Sequence, residues 1–274
     1  MAQVHPTAIL DDRVELADDV QIGPYSVLEG RIQIGAGTRL RSHVFLQGPL
    51  VIGEGNDIWP FACLGSAPQT SHFNPDDEGP GAVIGDGNTF REHSSVHRSI
   101  HETEPTRIGN NNLFMDSAHA GHDSQVHNDI VLAQASALGG HVTVEDRAIV
   151  GGGAMVHQFC RVGRGSMIGG TLGLTRDLMP WFTMSEFNVA ATVNTIGMKR
   201  AGHSSEDVDT ARWVYRLICR SNLTVGQARK EMETRSEDPL VAEYLTFMDN
   251  STRRLCTAHG RLVRAGGSSA TVST

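Results

Sequence analysis

Aliphatic residues recur every six positions along the first two-thirds of the chain. Stepping by six from Val4 reaches Leu10, Leu16, Ile22, Leu28, Ile34, Leu40, Leu46, Ile52, Ile58 and Leu64 without a polar interruption. The phase breaks over residues 65–83, resumes at Ile84, Phe90 and Val96, and skips Glu102. It then runs from Ile108 through Phe114, Ala120, Val126, Leu132, Leu138, Val144, Val150, Val156, Val162 and Ile168 to Leu174. A period of six matches neither the 3.6 of a helix nor the alternation of long strands. It matches a parallel β-helix, in which each hexapeptide is one short face with its apolar residue pointing into the shaft. Three faces close a coil, so residues three hexads apart should stack at the spacing of adjacent strands, about 4.8 Å. Glycine often follows the apolar position, as at Gly23, Gly35, Gly53, Gly109, Gly139 and Gly151, and is expected to supply the unusual backbone angles of the corners.

Two polar stretches interrupt the repeat and should loop out: residues 66–82 (SAPQTSHFNPDDEGPGA) and 98–107 (RSIHETEPTR). Long loops on a rigid solenoid are frequent carriers of function. Beyond residue 204 the pattern turns helical. Ser204 with Asp207, and Thr224 with Gln227, have the spacing of capping boxes, and Pro239 suits the first turn of a further helix. The expected organisation is a β-helix over residues 1–190, a helical domain over 191–258 and a disordered tail over 259–274.

Composition narrows the function. A net charge of −8 argues against nucleic acid as the main partner. Residues 199–274 nevertheless carry 12 Lys+Arg against 9 Asp+Glu, a mildly basic end on an acidic body. The cysteines (Cys63, Cys160, Cys219, Cys256) form no CxxC pair or zinc spacing and read as reduced thiols of a cytoplasmic protein. Neither a secretory leader nor an apolar run long enough to span a membrane is expected.

Chemistry concentrates in the histidines. His119, His122 and His127 fall in HAGHDSQVH, with His141 and the pair His157–Gln158 further on. Three-hexad spacing stacks His122 with Gly140 and Gln158, and Asp123 with His141. An imidazole with a neighbouring carboxylate, below a glycine that leaves space, suits a general base whose tautomer the carboxylate fixes. The competing reading is a solvated face decorated with histidine. Ser117 and Cys160 sit in no nucleophile motif.

VHPTAI, HAGHDSQV, GGHVTVED, VHQFC, IGGTLGLTRD, VNTIGMKRAG and STRRL give the chain an end-to-end likeness to a known family. It resembles the hexapeptide-repeat acyltransferases that acylate UDP-N-acetylglucosamine at the start of lipid A synthesis. The resemblance implies a left-handed β-helix, a homotrimer with sites between subunits, and transfer of a 3-hydroxyacyl chain from acyl carrier protein to the sugar 3-hydroxyl without metal or bound cofactor. It implies His122 as general base, Asp123 as its orienting group and the Gly140 N–H as oxyanion donor. It further assigns Gln69, His119, His141, His157 and Gln158 to the substrate pocket, Gly170 to a limit on acyl length, and Asn194 and Arg200 to the nucleotide and phosphates. The acidic carrier protein would suit the basic end of the chain. Four positions depart from the family pattern: Thr70 and His72 replace an acidic residue and a lysine near the sugar, and Ile196 and Ala201 replace a glutamate and an arginine. A 3-amino sugar acceptor, or a non-catalytic carrier-protein-binding paralogue, therefore stays open. An acetyl-CoA-dependent hexapeptide transferase and a zinc carbonic anhydrase are weaker readings. For the latter, His122 and His127 with His97 or His101 offer a ligand set, but Asp123 directly follows His122.

Overall fold

The computed structural model describes residues 1–70, 73–74, 77–100 and 103–258. His72, His101 and the expected tail over 259–274 lie outside the described residues. Short parallel strands, most of them two or three residues long, stack into three sheets of 11, 9 and 8 strands. These form the walls of a left-handed β-helix. Register follows the hexads: Ala120 pairs with Leu138, Val126 with Val144, and Leu132 with Val150. The repeated aliphatic residues fill the shaft, with Leu28, Leu46, Ile58, Phe90, Phe114 and Leu138 fully buried. Each such side chain contributes about 1.5–3 kcal/mol through burial.

The shaft also holds a polar ladder. Asn56 Oδ1 accepts hydrogen bonds from N (2.9 Å) and Nδ2 (3.0 Å) of Asn88. Asn88 Oδ1 in turn accepts from Asn112 N at 2.9 Å, and Asn112 Oδ1 from Ile130 N at 2.8 Å. The Nδ2 groups of all three reach backbone carbonyls on the next coil, at 2.9 Å each. No polar side-chain atom of these buried amides goes unused, which removes the penalty of burying them.

The corners correct the expectation about glycine. Except at Gly65 (φ 79°), the glycines that follow apolar positions of the repeat do not have a positive φ. They serve close approach between coils instead: a Cβ would lie 2.5 Å from Arg41 O at Gly23, and 2.5 Å from His127 O at Gly109. At many corners the left-handed backbone falls two residues later, three beyond the inward residue. Gly37, Gly55, Gly87, Gly153 and Gly165 hold it at some corners, but Tyr25, His43, Phe61, His93, Asp123, His141 and Phe159 hold it at others, with φ between 57° and 65°. The stacked coils enforce a conformation that a lone side chain disfavours.

Both interruptions leave the walls and return to them. Ala82–Ile84 pairs with Leu50–Ile52 on one side and Thr106–Ile108 on the other, so the ladder continues past each excursion. The walls also outlast the hexad pattern: Phe182–Glu186 pairs in parallel with Met167–Ile168 and then antiparallel with Val189–Val193. The expected division between 190 and 191 falls inside that last strand.

Four helices follow: α1 (Thr195–Arg200), α2 (Ser205–Tyr215), α3 (Val225–Glu233) and α4 (Pro239–Asp249), with a π-helical turn over Arg216–Arg220. Capping boxes at Ser204/Asp207 and Thr224/Gln227 start α2 and α3, and Pro239 begins α4 behind the N-cap Asp238. Neither α1 nor the π-turn is expected from sequence. Tyr215 Oη donates to the Ala190 carbonyl at 3.1 Å and Arg164 pairs with Glu243 at 2.8 Å, fixing the helices to the end of the prism. Among the described residues no helix is long and apolar enough to cross a membrane.

Candidate active site

A cavity of about 550 Å³ opens on one wall between neighbouring coils. His119 enters it from the strand His119–Ala120, while His122, Gly140 and Gln158 stack at matching points of three successive coils. His97, His157, Gln69 and Thr175 add to its polar lining, and Met155, Leu174 and Gly173 form an apolar side.

His122 and Asp123 form the chemical centre. Nδ1 of His122 lies 2.6 Å from Oδ2 of Asp123, and Nε2 of His141 lies 3.6 Å from the same oxygen. Asp123 is 7% exposed and lies behind the cavity rather than in its lining. Burial pushes its carboxyl up, but hydrogen bonds from His122 and Ser99 outweigh that and hold it at about 2. An ionised carboxylate on Nδ1 selects the tautomer that leaves Nε2 as the free base. Gly140 is required beside it, because a Cβ there would lie 2.5 Å from Cε1 and 2.6 Å from Nε2 of His122.

Two further imidazoles are kept neutral. Burial, with smaller contributions from His119 and His122, lowers His97 to about 4. Burial also lowers His119, whose Nδ1 is 2.8 Å from Ser95 Oγ. His141 stacks flat on Phe159, with centroids 4.5 Å apart, and meets His122 edge-on. Cys160 is buried, which pushes its thiol up to about 12 and removes it as a nucleophile at neutral pH.

His122, Asp123 and His141 are also a set whose ligand atoms lie within 4.8 Å of one another. The 2.6 Å between Nδ1 and Oδ2 is a hydrogen-bond distance. Two ligands about 2.0–2.1 Å from one tetrahedral zinc stand well over 3 Å apart. As arranged, the pair suits a shared proton rather than an ion.

The structure thus brings together Gln69, His119, His122, Asp123, Gly140, His141, His157 and Gln158. It keeps Gly170, Asn194 and Arg200 out of the cavity lining. Gly170 lies against Gly152 on another wall. Asn194 caps α1, accepting from Gly197 N and donating to the Gly165 carbonyl at 2.9 Å each, and Arg200 ends the same helix. The sequence pattern does not reveal the place of Ser99, or of His97 as a wall of this cavity. The excursion after His97 breaks the three-hexad count that stacks the other histidines, although His97 lies one residue past the inward Val96.

A left-handed prism of hexapeptide coils that bears a His–Asp pair and ends in helices defines a hexapeptide-repeat acyltransferase. Residues 177–256 match the family model described as UDP N-acetylglucosamine O-acyltransferase, domain 2. The acyl-[acyl-carrier-protein]–UDP-N-acetylglucosamine O-acyltransferase of Akkermansia muciniphila is 46% identical over 93% of this chain and 100% of its own length. The chain belongs to that family. The Syntrophobacter fumaroxidans protein of the same name is 39% identical over 89% of this chain and 96% of its own. Among solved structures, the Moraxella catarrhalis UDP-N-acetylglucosamine O-acyltransferase superposes with a TM-score of 0.88 at 37% identity, covering 92% of this chain and 99% of that one. The Francisella novicida UDP-N-acetylglucosamine acyltransferase gives a TM-score of 0.90 at 29% identity, covering 97% and 100%.

Proposed function

We propose that the protein transfers a 3-hydroxyacyl chain from acyl carrier protein to the 3-hydroxyl of UDP-N-acetylglucosamine, the first step of lipid A synthesis. The observation that carries the mechanism is the short His122–Asp123 hydrogen bond beside an open cavity, under a glycine that leaves space for the ring. His122 Nε2 removes the proton of the sugar hydroxyl as its oxygen attacks the thioester carbonyl. The oxyanion that forms is met by the Gly140 N–H, which has no protein acceptor among the described residues. Collapse breaks the carbon–sulfur bond, and the departing phosphopantetheine thiolate takes the proton back from the imidazolium. Asp123 steadies the charged ring without being protonated itself. No step calls for a metal or a bound cofactor.

The apolar side formed by Met155, Leu174 and Gly173 suits the start of an acyl chain. Gly170, with no side chain, favours a long chain over a short one. Because Gly170, Asn194 and Arg200 stand apart from the cavity on this protomer, they suit a site completed by a neighbouring subunit of a homotrimer. The positive balance of residues 199–274 suits the acidic carrier protein, and the protein would work in the cytoplasm. Thr70, directly after the cavity residue Gln69, keeps a 3-amino sugar as the second acceptor to test.

The test is product detection by mass spectrometry, with 3-hydroxyacyl carrier proteins of several lengths and either UDP-N-acetylglucosamine or its 3-amino analogue. His122→Ala is expected to lower turnover by about 100- to 10,000-fold, the range of general-base contributions. Undiminished turnover in that variant would remove His122 as the base. Product with the amino analogue alone would change the acceptor but not the mechanism.

A further inference from the structure

The excursion that follows His97 returns to the wall at Thr106, and both of its ends lie directly behind the His122–Asp123 pair. Ser99 is 1% exposed and Thr106 is 0% exposed. Their backbone N–H groups converge on one acceptor, the carbonyl of Gly81, at 3.0 and 3.2 Å. Between them they grip Asp123. The Ser99 hydroxyl donates to Oδ1, the Ile100 N–H reaches Oδ2 at 3.4 Å, and the Asp123 N–H donates to Thr106 Oγ1 at 2.7 Å.

This grip answers a problem set by the prism itself. Asp123 sits at a corner with φ 60°, and its Oδ2 has two imidazoles within reach, His122 at 2.6 Å and His141 at 3.6 Å. A carboxylate free to turn about its last torsion could serve either ring, and that torsion is a broad one. Holding Oδ1 from behind removes the freedom.

We propose that Ser99 is a positioning residue for acyl transfer, its hydroxyl holding Oδ1 of Asp123 so that Oδ2 stays on Nδ1 of His122 and Nε2 faces the cavity as the free base. The inference rests on His122 being the general base. On this reading Ser99, Ile100 and Thr106 form a clamp on the carboxylate. Ser99 also withdraws charge from the carboxylate.

The experiment compares wild type, Ser99→Ala, Ser99→Thr, Thr106→Val, His122→Ala and the Ser99→Ala/His122→Ala double variant. Ser99→Ala is expected to lower kcat roughly tenfold, with KM for both substrates within about twofold, because the lost group acts only through the base. The low-field proton resonance of the His122 Nδ1–H should broaden or disappear. Ser99→Thr, which keeps a hydroxyl, should restore both. Thr106→Val, close to isosteric, should lower kcat in the same direction if the serine variant proves unstable. In the His122→Ala background the serine change should have no further effect. Unchanged kcat and resonance in Ser99→Ala would overturn the proposal. So would an equal tenfold loss with His122 already removed, since Ser99 would then act elsewhere. Full activity of His122→Ala would instead remove the base assignment, while the resonance would still report whether Ser99 holds the pair.

Discussion

Two corners of the same prism use one backbone conformation for different ends. On one, Tyr25, His43, Phe61 and His93 stack at centroid distances of 5.1, 5.2 and 5.1 Å, and the rings are largely open to solvent. On the other, Asp123, His141 and Phe159 occupy the equivalent positions with the same positive φ, and His141 stacks on Phe159. The first column is four rings, followed on the same corner by Ser117, Ala135 and Gly153 at the same positive φ. The second begins with a carboxylate, which Ser99, Ile100 and Thr106 hold by hydrogen bonds. Imidazole on a solenoid corner is therefore not a site in itself. An acid in the column, buried from behind and bonded to an imidazole that faces a glycine, makes the difference.

The sharpest way to break the comparison is to fill the space at the second corner. Gly140→Ala would place a methyl group within the contact distance of the His122 ring and displace it. We expect kcat to fall by about 100-fold, the cost of a misplacement near 1 Å, with the melting temperature little changed. Steady-state kinetics beside a thermal melt would check this, and normal turnover would mean that the ring has room to move and does not need its observed place.

A smaller effect should appear in stability against pH. His97, held at about 4 against an ordinary 6.5, binds its proton more readily unfolded than folded. Its contribution is complete above pH 6.5 and is lost as pH falls toward 4. Denaturant titrations should show a loss approaching 3 kcal/mol over that window at full effect, reduced in His97→Gln. An identical slope in both proteins would assign the acid sensitivity to other groups.

The least effect is expected at the first corner. Phe61→Ala should cost about 0.5–1.5 kcal/mol, the worth of an aromatic pair, and leave kcat within about twofold. A large loss of turnover there would give the ring column a function and end the contrast.

Legibility in the sequence followed the same division. The hexad period exposed the coils because an inward aliphatic residue is required at each face, and the cap residues exposed α2, α3 and α4 because each satisfies a specific backbone donor. The stacking of His122 with Gly140, and of Asp123 with His141, followed from the same count. The corner conformation was hidden, since Tyr, His, Phe and Asp all adopt it under the pressure of neighbouring coils. Ser99 was hidden for another reason: a loop return obeys no period, and only coordinates reveal which side chain its end delivers. The capping of α1 by the Asn194 amide was not legible either, since α1 itself was not expected.

The amide ladder in the shaft has a consequence for how the chain finds its alignment. Aliphatic rungs are nearly interchangeable, so a coil displaced by one storey would still bury an apolar residue at every face. The amides are not interchangeable. Asn56, Asn88 and Asn112 are joined in sequence, with Asn56 N donating to Thr38 Oγ1 below at 3.1 Å and Ile130 N donating to Asn112 above. Any slip would strand at least one of them among hydrocarbons, at about 1–3 kcal/mol for each orphaned group. Three asparagines thus act as the notches of a key, telling otherwise identical storeys apart.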